Sequence, residues 1–514
     1  MSSAFAALSP RLSNDLCCFM DALEYSQSSN VLMHMRSGRL QLEKFVMMQQ
    51  SGATSFVQVL EKESWFWKEH LDKAKNDSNV KVQERHVLTD LLPGLQHIHD
   101  VKVGRPGKPD DSVYRTSEYA RKWQPRGNCL AEWKAKSETY YFPLIRGYRK
   151  FSGQEDDGEL EKQSEDAEEE MSKYFRKPQS QSKWLIMTSK ENGEGGHLAV
   201  LKRSDGEFVY VLGSKNTHLV AQSIEDIAKT HEIQTKDGNN SQFFAADLIA
   251  TAIFKMLLAL EPAKQKLLCE FLWQTRTTAS FEVLCPRHQH VQLLDYISDD
   301  TPVFYGLSLM TLNPPEVAEI CVNPVLIYEF MRALGVRTVA YKVFDLNVVE
   351  LEAAIDCSKN AYKHEGGVYL FLDDEASVIG MQKHKSVWYV CLRAIREKAK
   401  TLCRSLLSKK PSKCEAKPLL PIKALEVGKK SLRKRFETIP QFLRISNDVS
   451  NAYMTLGEHF LEYLFHQELF QGAATGREQE EKCMQVAKDV SDLFPVVWKR
   501  FLDDTGASDV IKQP

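Results

Sequence analysis

The stretch WLIMTSKENGEGGHLAVL, Trp184 to Leu201, decides the reading of the chain. It places an apolar run (Trp184–Thr188) before Lys190-Glu191-Asn192-Gly193-Glu194 and a second run after it (His197–Arg203). Both runs have the β-branched and apolar make-up of strands, and the Asn-Gly pair marks the turn between them. A lysine at the end of a strand, beside a tight turn, can serve as a nucleophile held close to a backbone. The competing reading is a simple hairpin turn with Lys190 solvated beside it.

Further strand signals follow at Glu207–Leu212, Ser280–Leu284, Val291–Tyr296, Pro302–Thr311, Thr338–Asp345, Gly367–Leu372 and Ala376–Met381. A helical block, Phe243 to Trp273, interrupts them. It contains the most apolar stretch, Asp247–Leu260, which is too short to span a bilayer and reads as a buried helix. The set predicts an α+β fold with mainly antiparallel sheets. Leu42, Phe45, Val46, Phe56, Val59 and Leu60 recur at helical spacing, as do Leu461, Leu464, Phe465, Val486, Val490 and Trp498. The expected organisation is a helical N-terminal region (1–105), a middle domain (106–390) with an acidic insertion near 152–181, and a basic, then helical, C-terminal domain (391–514). Gly104–Ser112, rich in Gly, Pro and charge, reads as a loop or boundary.

Several weak motifs accompany Lys190 in a fixed order. Pro125-Arg126-Gly127 and Arg149-Lys150-Phe151 lie upstream. Gly213-Ser214-Lys215-Asn216, Phe281-Glu282, Glu365-Gly366-Gly367-Val368 and Lys383-His384-Lys385, followed by Trp388-Tyr389, lie downstream. This ordered set resembles the covalent nucleotidyltransferases: ATP-dependent DNA and RNA ligases and mRNA capping enzymes. Within them it is most similar to RNA ligases of the bacteriophage single-strand-break type. The likeness covers roughly residues 115–392. Asn192 stands where the family's K-x-D-G has Asp; asparagine tolerates the positive φ such a turn can require. Glu194 stands where a small hydroxyl residue is common.

The resemblance implies a nucleotidyltransferase (adenylation) domain and a three-step reaction. Lys190 attacks ATP to form Lys190-AMP, AMP passes to an RNA 5′-phosphate, and a 3′-hydroxyl displaces AMP to seal the strand. It further implies that Glu282 holds the ribose, and that Glu365 binds Mg²⁺, or Mn²⁺ in its place. Arg126, Lys150, Phe151, Asn192 and Gly193 would line the nucleotide site, and Lys383 and Lys385 would clamp phosphates. Carboxylate oxygen suits Mg²⁺ and guanidinium suits phosphate. Burial and nearby cations are expected to lower the Lys190 pKa toward the reactive amine. Strand alternation is taken to send Lys383 and Lys385 to opposite faces. Tyr305-Gly306 either approaches the adenine or packs structurally.

The alternatives keep the chemistry on another substrate (a DNA ligase or an mRNA guanylyltransferase), or lose it in a non-catalytic RNA-binding protein on a degenerate ligase fold. Helical character after the K-x-K argues against a capping enzyme or a typical DNA ligase. Intact Lys190, Glu282, Glu365, Lys383 and Lys385 argue against a degenerate fold. No G-x-x-x-x-G-K-[ST] loop is present, so RNA ends bearing 5′-phosphate and 3′-hydroxyl groups would come ready-made or from end-healing enzymes in trans.

The formal charge of -2 argues against nucleic acid only as an average. Gln154–Glu170 carries ten carboxylates and one lysine, and Arg393–Arg435 carries fifteen Lys/Arg and three Glu. The second suits a phosphate backbone; Lys429-Lys430 and Arg433-Lys434-Arg435 also read as a nuclear localisation signal, and Ser405–Pro421 as a solvated linker. Eleven scattered cysteines without C-x-x-C pairs, and an N-terminus without an apolar leader pattern, predict an intracellular protein, cytoplasmic or nuclear, with no membrane segment.

Overall fold

The computed structural model describes residues 4–508, leaving out 152–171, 236–239, 311–319, 408–420, 467–476 and positions 10, 26, 51–52, 54, 89, 105–106, 108, 136 and 347. The acidic tract and most of Ser405–Pro421 therefore lie outside the described residues.

Thirteen strands are found among the described residues: β1 Val80–His86, β2 Leu95–Val103, β3 Asn128–Ala135, β4 Glu138–Arg146, β5 Trp184–Ser189, β6 Glu194–Lys202, β7 Phe208–Ser214, β8 Thr217–Ala221, β9 Thr277–Leu284, β10 Thr301–Leu309, β11 Tyr341–Asp345, β12 Gly366–Leu372 and β13 Val378–Lys385. They form three antiparallel sheets, ordered β1-β2-β3-β4, β10-β9-β6-β7-β8 and β11-β5-β12-β13. The fold is mixed helix and antiparallel sheet, as the strand pattern predicts.

The central crossing is the one that matters for function. β5 and β6 are consecutive in the chain but belong to different sheets. Residues 190–193 therefore carry the chain from one sheet to the next, and the hairpin reading of Asn192-Gly193 is set aside. Neither residue has positive φ. Gly193 is required for a different reason: a Cβ there would lie 2.3 Å from the Val283 carbonyl oxygen of β9.

The helical reading of the first hundred residues holds to Asn76 and then fails. Helices Asn14–Tyr25, Ser29–Gln50 and Phe56–Asn76 are followed by β1 and β2, which extend the β3–β4 hairpin. Ser55 caps the third helix by accepting from the Gln58 N–H. Inside the segment expected as a boundary, Asp110 opens a short helix, Asp110–Thr116, that begins with two acids favoured at a helix N-terminus. One buried core runs from Phe5 to Met381 and includes Phe56, Trp133, Leu198, Phe281 and Leu370.

The apolar stretch at Asp247–Leu260 is a buried helix, Asn240–Ala259, with Ile249, Ala250, Ile253 and Leu257 inward. Pro262 starts the next helix, Pro262–Thr275, at the position where its missing N–H costs nothing. Val291–Tyr296, expected as a strand, is an irregular loop.

A second buried cluster, led by Trp388, Leu392, Leu432, Phe460 and Trp498, is built almost wholly from helices Val387–Leu407, Pro421–Leu443, Asn447–His466, Arg477–Asp492 and Phe494–Thr505. It joins the sheets through Gln289, whose N–H donates to the Asp492 carbonyl at 2.6 Å, and through Val291, which is buried within it. Among the described residues no helix is long and apolar enough to cross a membrane.

Candidate active site

Lys190 sits one residue beyond β5, and its N–H donates to the Gly366 carbonyl at 3.0 Å. Its Nζ pairs with Glu365 Oε1 at 2.7 Å, with about a quarter of the side chain exposed. Glu365 is buried and faces two partners, because its Oε2 accepts from Asn192 Nδ2 at 2.7 Å. Gly366 makes this possible at φ 137, where a Cβ would strike the His384 carbonyl at 2.0 Å.

Asn192 uses its whole amide. Its Oδ1 accepts from the N–H groups of Val291 and Gln292, both at 3.1 Å. This is the physical reason 291–296 is not a strand: those donors serve a side chain instead of a ladder. Glu282 accepts from the Gly193 N–H at 3.0 Å, so it stands on the other side of the same crossing. Four segments distant in sequence thus meet around Lys190.

The charges act against the expected pKa. Burial works to lower that of Lys190, but Glu365 and then Glu282 outweigh it and hold the ammonium above its ordinary value. Burial pushes the Glu282 carboxyl up to about 7. The resting lysine is an ammonium, which corrects the expectation of a lowered pKa; the predicted cations are outweighed by two carboxylates.

Lys383 and Lys385 are also corrected. Residues two apart on a strand share a face. In β13 the residue between them, His384, turns to the opposite side, where its ring lies 4.9 Å from Tyr369. Thr188 pairs with Val368 and Val368 with Lys383, while Gly366 pairs with Lys385. Lys190, Lys383 and Lys385 therefore belong to one face of the third sheet. Lys385 is buried, with Nζ 5.8 Å from the Tyr389 ring centroid.

Arg126 donates to Asp110 Oδ2 at 2.9 Å, and Lys215 Nζ donates to the same oxygen at 2.9 Å. Burial and then Arg126 push the Lys215 ammonium down to about 8. Burial raises the Asp110 pKa, but Lys215 and Arg126 override it and hold the carboxyl well below its ordinary range. The sequence reading missed Asp110, which lies in a segment taken for a boundary, and left Lys215 without a role. Lys150 is buried on Asp111, Nζ to Oδ1 at 2.5 Å. Lys150 and Phe151 line a cavity of about 110 Å³ together with Arg121, Arg149, Lys173 and Met381. Met381 is on the Lys383 face of β13, while Phe175, also in the lining, packs on Phe371 of the opposite face, so this cationic hollow lies at the edge of the sheet.

Gly306 is packed under Tyr148, where a Cβ would meet the phenol oxygen at 1.7 Å, and the Tyr305 carbonyl accepts from Tyr328 Oη at 2.9 Å. These contacts account for the pair by packing. In the basic C-terminal stretch, Lys429 pairs with Glu462 and Arg433 with Glu458, so part of its charge is answered inside the helical domain.

The comparisons with known proteins add the following. Residues 178–396 match the model of a domain of unknown function (DUF7920). No curated protein matches the sequence. Among solved structures, an archaeal ATP-dependent RNA ligase (form 1) is similar at 14% identity and a TM-score of 0.39, covering 81% of this chain and 85% of its own. Form 2 of an archaeal ATP-dependent RNA ligase follows at 12% identity and a TM-score of 0.31, covering 74% and 86%. A Naegleria gruberi RNA ligase solved with ATP and Mn has 10% identity and a TM-score of 0.26, covering 61% and 98%. All three likenesses are distant, and the narrower likeness to the bacteriophage family rests on the sequence motifs alone.

Proposed function

We propose that this protein is an ATP-dependent RNA ligase that works through a covalent Lys190-AMP intermediate. The observation that carries the reading is the Lys190–Glu365–Asn192 hydrogen-bonded unit. Glu282 lies beside it and two lysines share its sheet face. Structural hairpins have no need of such an assembly.

In the first step Lys190 Nζ, having lost a proton, bonds to the α-phosphorus of ATP. The α–β bridging P–O bond breaks and pyrophosphate leaves. Lys383 and Lys385 offset phosphate charge, and Arg126, with its planar fork, suits a non-bridging phosphate pair. Glu282, as a carboxylate, accepts from a ribose hydroxyl. In the second step the 5′-phosphate of RNA displaces Lys190 from AMP; in the third a 3′-hydroxyl displaces AMP. Glu365 would supply the hard oxygen ligand that fits Mg²⁺ or Mn²⁺. When bound there, such an ion would offset phosphate charge, and Glu365 would be shared between it and the Lys190 ammonium. The 393–435 basic stretch would follow the RNA backbone.

Incubation with α-labelled ATP or GTP and a divalent cation tests the reading on a denaturing gel. Protein label from ATP that disappears in Lys190→Ala supports it. Label from GTP alone would indicate guanylyl transfer, and label from neither would exclude the lysine chemistry. Adding 5′-phosphorylated RNA or DNA then distinguishes the two polymers.

A further inference from the structure

Glu194 departs from the motif it follows, and its surroundings give it another use. Its Oε1 lies 2.9 Å from His290 Nε2 and 3.6 Å from His288 Nε2. The three donor atoms all fall within 4.8 Å of one another. A tetrahedral ion with the bond lengths of zinc needs donor atoms about 3.3 Å apart, which these separations bracket. We propose that Glu194, His288 and His290 form a binding site for one divalent cation of the Zn²⁺ class.

Three observations support this. Two imidazoles and one carboxylate form a donor set that borderline transition metals prefer, whereas Mg²⁺ favours oxygen alone. The other ring nitrogen of His288, Nδ1, faces Asp492 Oδ1 at 3.6 Å. A carboxylate behind a ligating imidazole is the usual outer partner of a metal-bound histidine. The three side chains are 24–42% exposed, so water can enter and complete the coordination.

A second histidine-containing cluster among the described residues, Asp100–Cys129–His218, does not compete well. Asp100 Oδ2 already accepts from Arg85 Nε at 2.8 Å and the His218 N–H at 3.1 Å, and Oδ1 lies 2.7 Å from His218 Nδ1. A guanidinium on the carboxylate opposes a second cation there.

The position gives the ion a purpose. Glu194 lies two residues after Asn192, and His290 immediately precedes Val291, whose N–H donates to Asn192. An ion joining Glu194 to the His288–His290 loop closes a ring around Asn192. Through Asp492 it also ties that loop to the helical domain. The proposal does not depend on the ligase reading, since it concerns binding by residues outside the proposed chemistry.

The test uses the full chain stripped with chelator, then titrated with Zn²⁺ by calorimetry and with Co²⁺ by visible absorption. One equivalent should bind, and the melting temperature should rise with it. His288→Gln and His290→Gln keep a hydrogen-bond donor toward Glu194 and so spare the fold, yet should weaken binding by more than the roughly 10–100-fold that losing an outer partner costs. Asp492→Asn should weaken it less, and Cys129→Ser should leave it unchanged. Absence of stoichiometric binding would overturn the proposal, as would binding indifferent to both histidine variants or lost in Cys129→Ser.

Discussion

The side-chain amide of Asn192 donates to Oε2 of Glu365 across 2.7 Å, and both residues are buried. An aspartate at this position would set two carboxylates against each other in a low-dielectric site. Asn192→Asp therefore restores the commoner motif and should harm the protein. The lost hydrogen bond alone is worth about 1–3 kcal/mol in a buried setting. Calorimetry should show a lower melting temperature, and Lys190 labelling should fall at least ~10-fold. Two facing carboxylates share a proton with a raised pKa, so the defect should deepen as pH rises. A variant as stable and active as the parent at pH 8 would show that the amide is not needed.

Glu365 also holds the proton on Lys190. Replacing it by Gln removes the stronger of the two carboxylates that hold the ammonium and leaves burial opposed by Glu282, so the Lys190 pKa should fall. More of the lysine is then free amine at a given pH. Modification of Lys190 by an amine-directed reagent at pH 8, read by peptide mass spectrometry, should quicken on the order of 10-fold. An unchanged rate would mean that another group holds the ammonium.

The two lysines of the K-x-K strand should behave alike. Lys383 and Lys385 share the face that carries Lys190, and His384 lies against Tyr369 on the other. Lys383→Ala and Lys385→Ala should each reduce lysine labelling by ~10-fold or more, the range typical of a lost charge-stabilising group. His384→Ala should lower thermal stability and leave labelling within about threefold, since it removes packing and not a charge. A large gap between the two lysine variants would contradict the shared face.

Much of this site could be read from the sequence because its residues sit in short, ordered motifs. Lys190, Glu282, Glu365 and the two lysines are each found at the end or edge of a strand, where alternation and turn residues place them. What escaped depends on long-range pairing. VQLLDY has the composition of a strand, but its first two N–H groups are taken by Asn192, about a hundred positions upstream. β1 and β3 carry Lys81, Glu84 and Lys134 among their apolar residues, which masks their alternation. Asp110 looks like a linker residue until Arg126 and Lys215 are brought to it by other elements. The ammonium state of Lys190 likewise needs the distance to Glu365, which no spacing encodes.

Glu282 should make the fold sensitive to pH in a definite direction. Burial raises its carboxyl to about 7 in the folded protein, against roughly 4.3 for an unfolded glutamate. Below the unfolded value both states are protonated and the group costs nothing. As pH rises toward 7 the unfolded chain ionises first, so stability is lost across that interval and does not return above it. Glu282→Gln does not titrate. Its melting temperature should therefore gain on the parent between pH 5 and pH 8, with the larger advantage at pH 8. The Gly193 N–H still has an amide oxygen to donate to, so the comparison isolates the charge. An advantage that is constant with pH, or larger at pH 5, would show that Glu282 ionises in the folded state as readily as in water.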